Sequence, residues 1–149
     1  MQKIRSIRLT SDMGNLGSLA SFISECVRDR GVTPERAGEL QVALEEAFVN
    51  ICRYAYAEGP GDVEVTFLSE SGNTVIEIID SGVPFDITAQ ELPDITAEIH
   101  ERKIGGLGCL LIRKLMGKVI YRREDGKNIL RFTGLLQRIE EGQLGGEDG

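Results

Sequence analysis

Hydrophobic positions recur along this chain with two periods, and the switches between them mark its elements. In "IRSIRLTS", residues 4–11, Ile4, Ile7 and Leu9 follow period two with one irregularity, which predicts a first strand with an imperfect register. Asp12, Gly14 and Gly17 then open a helix through "LGSLASFISECVRDRG". Leu16, Leu19, Ala20, Ile23 and Val27 keep a three-to-four spacing there, and Gly31 supplies the stop. Thr33 before Pro34 reads as an N-cap followed by proline at the first helical position, so a second helix is predicted over about 34–56, ending before "EGPGD". Period two returns in "DVEVTFLSE" and "NTVIEIIDSG", two strands around a tight "SGN" turn. An irregular stretch, 83–105, and a short glycine-led helix, "GLGCLLIRKLMG", precede a second hairpin of "KVIYRRE", the turn "DGKN" and "ILRFTGLL".

The order is strand, two helices, hairpin, long loop, helix, hairpin. It predicts an α+β two-layer sandwich, in which about three helices cover one face of a mostly antiparallel sheet. With 149 residues, the chain suits one domain, taken as 1–136, followed by a flexible acidic tail, 137–149. The formal net charge of −7 argues against direct nucleic-acid binding, which needs a basic surface, but leaves room for a nucleotide in a local site. No apolar run approaches the ~20 residues of a membrane span, and "MQKIRSIRLTSD" lacks the apolar core of a signal peptide. A cytoplasmic protein without membrane contact is expected. Cys26, Cys52 and Cys109 are widely spaced and, with one histidine, do not suggest a zinc site; buried, reduced thiols are the expectation.

Three segments carry candidate chemistry. In the second helix, Glu39, Glu46, Asn50 and Arg53 fall within roughly 60° of one another, on a different face from Leu40, Leu44, Ala47, Phe48, Ile51 and Ala55. Glu46 and Asn50, four residues apart, can reach one ligand together, the carboxylate as a proton acceptor and the amide oxygen as a magnesium ligand. Asp80, at the end of a strand in "DSGVPFD", can accept a hydrogen bond from an exocyclic amine, and Gly82 permits close approach. In "KIGGLGCLLIRKLM", Gly105, Gly106 and Gly108 lead into an apolar helix whose first free N–H groups, up to about Cys109, can face phosphate, with Lys103 just upstream. This is neither a P-loop nor a dinucleotide fingerprint, since no Lys-Ser/Thr follows the glycines and no strand precedes them.

In combination these segments resemble the Bergerat-type ATP-binding fold of gyrase, the heat-shock chaperone, sensor histidine kinases and mismatch-repair ATPases. Within it, "EAFVN" with "YAY", "DSGVPFD" and "ERKIGGLGCLLIRKLMGKVIYRREDGKN" look like the asparagine box and glycine boxes of the bacterial anti-sigma factor/serine protein kinase family, over roughly residues 4–135. The resemblance implies an ATP- and Mg²⁺-dependent serine/threonine kinase that phosphorylates an anti-sigma-factor antagonist, sequesters a sigma factor and forms a homodimer. The alternative is a partner-switching module that binds nucleotide without transferring phosphate. Residue by residue, it implies Glu46 as general base and Asn50 as magnesium ligand. It implies Asp80 as the adenine acceptor, supported by Gly82, and Gly106, Leu107 and Gly108 as phosphate-facing backbone. It also implies a lid over about 87–104. Arg53, Tyr54, Lys103, Gly105 and Cys109 complete the expected nucleotide site. Two departures stand out. Tyr54-Ala55 replaces a histidine-glycine pair of some relatives, and "GKNIL" replaces a Gly-Thr pair of many relatives, which puts that nucleotide contact in question. His100 falls in the lid and reads as an exposed residue there.

Overall fold

The computed structural model describes residues 2–28, 30–89, 112 and 118–133. His100, Lys103, Gly105, Gly106, Leu107, Gly108 and Cys109, the lid beyond residue 89 and the acidic tail lie outside the described residues.

Five strands form one antiparallel sheet in the order β1-β2-β3-β5-β4. They are β1 (Gln2–Thr10), β2 (Asp62–Glu70), β3 (Asn73–Asp80), β4 (Lys118–Glu124) and β5 (Lys127–Thr133). The irregular period of the first strand has a physical cause: the register against β2 shifts between Lys3 and Arg5, which leaves Ile4 at a bulge. Both hairpins turn on two residues with positive φ, Ser71–Gly72 and Asp125–Gly126, the type I′ geometry that matches strand twist. Lys127 and Asn128 therefore belong to β5, not to the turn in which the sequence reading placed them.

Among the described residues, two full helices cover one face: α1 (Leu16–Arg28), entered through a 3-10 turn at Met13–Asn15 capped by Asp12, and α2 (Pro34–Tyr54). Thr33 caps α2 by accepting from the Arg36 N–H at 3.2 Å, with Pro34 at the first position. The helix stops two residues earlier than expected. The Ala55 N–H still bonds to Ile51, but the Ala55 carbonyl turns to accept from the Val83 N–H at 2.8 Å. Ile112, the one described residue of the expected third helix, is helical and fully buried.

The core lies between this sheet face and the helices. Phe48, Leu44 and Leu19 meet Val63, Val65 and Phe67 of β2, with Phe22 edge-on to Phe67 at 5.8 Å. Between β3 and β5, Ile76 pairs with Phe132 and Ile78 with Leu130. The next pair on the same face is Asp80 with Asn128. Alternation thus carries two apolar rows straight into a polar one at the end of the strands. On the opposite face, Glu77 is clamped by Arg131 at 2.9 Å and approached by Arg122 at 3.6 Å.

Candidate functional site

A pocket opens where that polar pair meets the middle of α2. Among the described residues, Asn50, Asp80 and Asn128 supply polar lining, and Ala47, Ile51, Ile78, Phe85, Ile87, Tyr121 and Leu130 line it as well. A mostly apolar cleft with a few convergent polar groups is the usual form of a small-molecule site.

Asp80 is buried. Its Oδ1 accepts from the Gly82 N–H at 2.8 Å and from Asn128 Nδ2 at 2.9 Å, while no described residue donates to Oδ2. Burial pushes its carboxyl above the usual carboxylate range, opposed by the hydrogen bonds from Asn128 and Gly82 and by the charge of Arg123. Gly82 permits a close approach, as expected, but the atom approaching is the protein's own. A Cβ there would meet the Ala55 carbonyl oxygen at 2.2 Å, so the glycine docks the loop onto the end of α2. Arg123 fastens the same loop from β4, donating to the Gly82 carbonyl at 2.8 Å.

Asn50 does not share a solvated face with Glu39 and Arg53. It is 1% exposed, whereas Glu39 is exposed and paired with Arg36 at 2.8 Å. The helical angle is the same; the difference is that Phe85 and Ile87, from the loop after β3, help to enclose the pocket around Asn50. Its Nδ2 donates to the Glu46 carbonyl at 2.8 Å, and its Oδ1 is buried with no hydrogen bond from any described residue. A buried amide oxygen left without a donor fits a cation that takes oxygen ligands, and Mg²⁺ is such an ion.

Glu46 is half-buried one turn away and does not line the pocket. Burial raises its carboxyl pKa, Arg53 opposes the shift and Glu45 adds to it. Arg53 and Tyr54 are exposed and also stand off the lining. Tyr54 packs its ring on Phe85 at 5.6 Å, so it braces a pocket wall.

The expected lid begins with an anchor. Residues 87–89 form a 3-10 turn, Ile87 is buried, and the Thr88 N–H and hydroxyl both donate to Asp86. Cys26 and Cys52 are free thiols, both pushed up to about 11 chiefly by burial; Cys26 is buried as expected, whereas Cys52 is only half-buried.

Three residues escaped the sequence reading. Tyr56 ties the strand ends together: its hydroxyl donates to the Asp62 carbonyl at 2.6 Å and accepts from the Ser81 N–H at 2.8 Å. Burial raises its phenol pKa and keeps it a donor. Asn128 and Tyr121 bond to each other at 2.6 Å beside Asp80. The alternation of "KVIYRRE" and "NILRFT" places both on the core face, but only the β3–β5 register brings them to the site.

Residues 9–133 match the histidine kinase-like ATPase domain family. The chain is 33% identical over 129 residues to "Serine-protein kinase RsbW" of Halalkalibacterium halodurans, covering 84% of this chain and 78% of the relative. It is 29% identical over 104 residues to the protein of the same name from Bacillus thuringiensis, covering 67% and 64%. Among solved structures, it superposes on a Mycobacterium tuberculosis protein with RsbU and RsbW domains, with TM-score 0.59 and 13% identity over 87% of this chain and 32% of that one. It also superposes on a blue-light-activated histidine kinase of Erythrobacter litoralis, with TM-score 0.53 and 20% identity over 86% and 42%. Those two likenesses bear on the fold alone, and they place the expected two-layer α+β architecture among histidine-kinase-like folds. An antiparallel sheet with helices on one face, a strand ending in Asp80 and the matched span together identify this chain as a member of the histidine kinase-like ATPase domain family, alongside the serine-protein kinases named RsbW.

Proposed function

We propose that this chain is an ATP-dependent protein serine/threonine kinase that phosphorylates an anti-sigma-factor antagonist and, in its other role, holds a sigma factor. The observation that carries this reading is Asn50, wholly buried with an unpartnered oxygen, lining one pocket with Asp80. A structural asparagine would have its amide filled; this one keeps an acceptor in reserve.

In this reading, Asp80 Oδ2 accepts from the exocyclic amine of adenine, and the apolar walls from Ile78 to Ile87 hold the ring. Asn50 Oδ1 would hold Mg²⁺. The ion, when bound, would offset charge on the phosphates. Glu46 takes the proton of the acceptor serine as its hydroxyl oxygen bonds to the γ-phosphorus and ADP departs. Burial raises its pKa, which makes the carboxylate a stronger proton acceptor than a solvated one. Arg53 sets the field at Glu46, and Tyr54 supports the wall through Phe85. By resemblance, Lys103, Gly105, Gly106, Leu107, Gly108 and Cys109 serve the phosphates, and the working unit is a homodimer.

The test is incubation of the pure protein with radiolabelled ATP, Mg²⁺ and candidate antagonist proteins. Label on an antagonist serine is expected. ATP binding by calorimetry without any transfer would overturn the kinase reading in favour of a nucleotide-binding partner-switching module.

A further inference from the structure

Asn128 lines the pocket, yet its side chain has nothing left to offer a ligand. An asparagine amide has two donors and two acceptor sites. Here Nδ2 donates to Asp80 Oδ1 at 2.9 Å and to the Val83 carbonyl at 2.8 Å. Oδ1 accepts from the Tyr121 hydroxyl at 2.6 Å and from the Phe85 N–H at 3.2 Å. The amide orientation is fixed by this network, since a flipped amide would turn its oxygen toward the Asp80 carboxylate and the Val83 carbonyl and its NH₂ toward the Phe85 N–H.

The consequence falls on Asp80. Oδ1 receives two N–H donors, from Asn128 and Gly82, which fills its lone pairs. Oδ2 is left as the acceptor available to a ligand. A carboxylate's last torsion is soft, so one donor alone would hold its plane loosely; two donors, one from β5 and one from the loop after β3, hold it firmly. The same amide pins Val83 and Phe85, and Phe85 is a pocket wall. One side chain therefore sets both the acceptor and the apolar face against which a flat ring would lie.

We infer that Asn128 is a positioning residue that orients Asp80 as a one-sided acceptor, so that selection of an amine-bearing purine is a property of the Asp80–Asn128 cross-strand pair. This rests on the nucleotide reading of the pocket. In that role Asn128 is not a nucleotide contact, which resolves what the "GKNIL" departure does in this chain.

Calorimetry with ATP and with purine riboside triphosphate, which lacks the exocyclic amine, tests it in the wild type, Asn128→Ala and Asn128→Thr. The wild type should prefer ATP. Asn128→Ala should lose about tenfold of that preference, the worth of a well-aimed hydrogen bond to a charged acceptor, while binding of the amine-free analogue changes less than about threefold. Asn128→Thr, which keeps one hydroxyl donor and suits a strand, should lose less, and it decides the matter if the alanine variant does not fold. Equal weakening of both ligands in a folded variant would make Asn128 a structural residue only, and an unchanged preference would remove it from the site. Failure of the wild type to bind either triphosphate would instead overturn the nucleotide reading itself.

Discussion

Asn50 and Asn128 line the same pocket and are almost equally buried, at 1% and 5% exposed, yet they are bonded in opposite ways. Asn128 uses every hydrogen-bonding capacity it has, across two strands and a loop. Asn50 makes one bond to its own helix and leaves a carbonyl oxygen bare. A buried unsatisfied group costs roughly 1–3 kcal/mol, so packing alone gives no reason to keep an asparagine at position 50. The contrast separates a side chain spent on the fold from one whose acceptor is left open. It also divides the pocket into a sheet-borne half that is rigid and a helix-borne half that is chemically open.

The largest expected effect lies on α2, one turn from the open half, at Glu46. Glu46→Gln keeps shape and helix propensity but cannot take a proton, so phosphoryl transfer at saturating ATP should fall about 10²–10⁴-fold with nucleotide affinity nearly unchanged. Initial rates on an antagonist substrate measure this, and equal rates would remove Glu46 as the base. Next comes the contrast itself. Asn128→Ala strands an acceptor, a carbonyl and two donors, and should lose roughly 2–4 kcal/mol in urea unfolding of the ligand-free protein. Asn50→Ala removes an orphan together with one bond and should lose less than about 1 kcal/mol, while Mg²⁺-dependent ATP binding weakens. Similar losses for the two would erase the distinction.

Asp80 joins the halves, and its replacement should divide binding from stability. Asp80→Asn should weaken ATP and ADP alike by about tenfold to a hundredfold, as expected when a charge-assisted bond is lost. The ligand-free protein should not lose stability at neutral pH. The sign follows from burial: the folded carboxyl has a raised pKa, so the folded state binds more protons than the unfolded one between the two values. Stability from this group is therefore present below the ordinary carboxylate pKa and declines as pH rises through the raised value. The smallest predicted effect is the loss of that slope in Asp80→Asn, read from thermal unfolding across mildly acidic pH. A slope retained in full would assign it to another group, Glu46 being shifted in the same direction.

The sequence made one class of feature legible and hid another. Period changes exposed every described strand and both helices, and Ser71–Gly72 and Asp125–Gly126 carried the hairpins, because these depend on residues near one another in the chain. Asn50 and Asp80 were legible as candidates for the same reason, one on a helix and one at a strand end. The burial of Asn50 was not, because a helical wheel contains no loop to bring Phe85 and Ile87 around it. Asn128 was hidden most completely: its partner Asp80 lies 48 residues away, and "DGKN" read locally as a turn. The stop of α2 belongs with it, since the Ala55 carbonyl turns away from the helix to meet Val83.

The chain has no tryptophan and three tyrosines, and all three belong to the framework of the site. Tyr54 lies against Phe85, Tyr56 bridges Asp62 and Ser81, and Tyr121 is bonded to Asn128. The protein's intrinsic tyrosine emission therefore originates entirely from a ring that braces a pocket wall, one that ties the neighbouring strand ends and one bonded to Asn128 in the lining. An unlabelled sample carries its own optical reporter there, and replacing each tyrosine by phenylalanine in turn would assign the signal to Tyr54, Tyr56 or Tyr121.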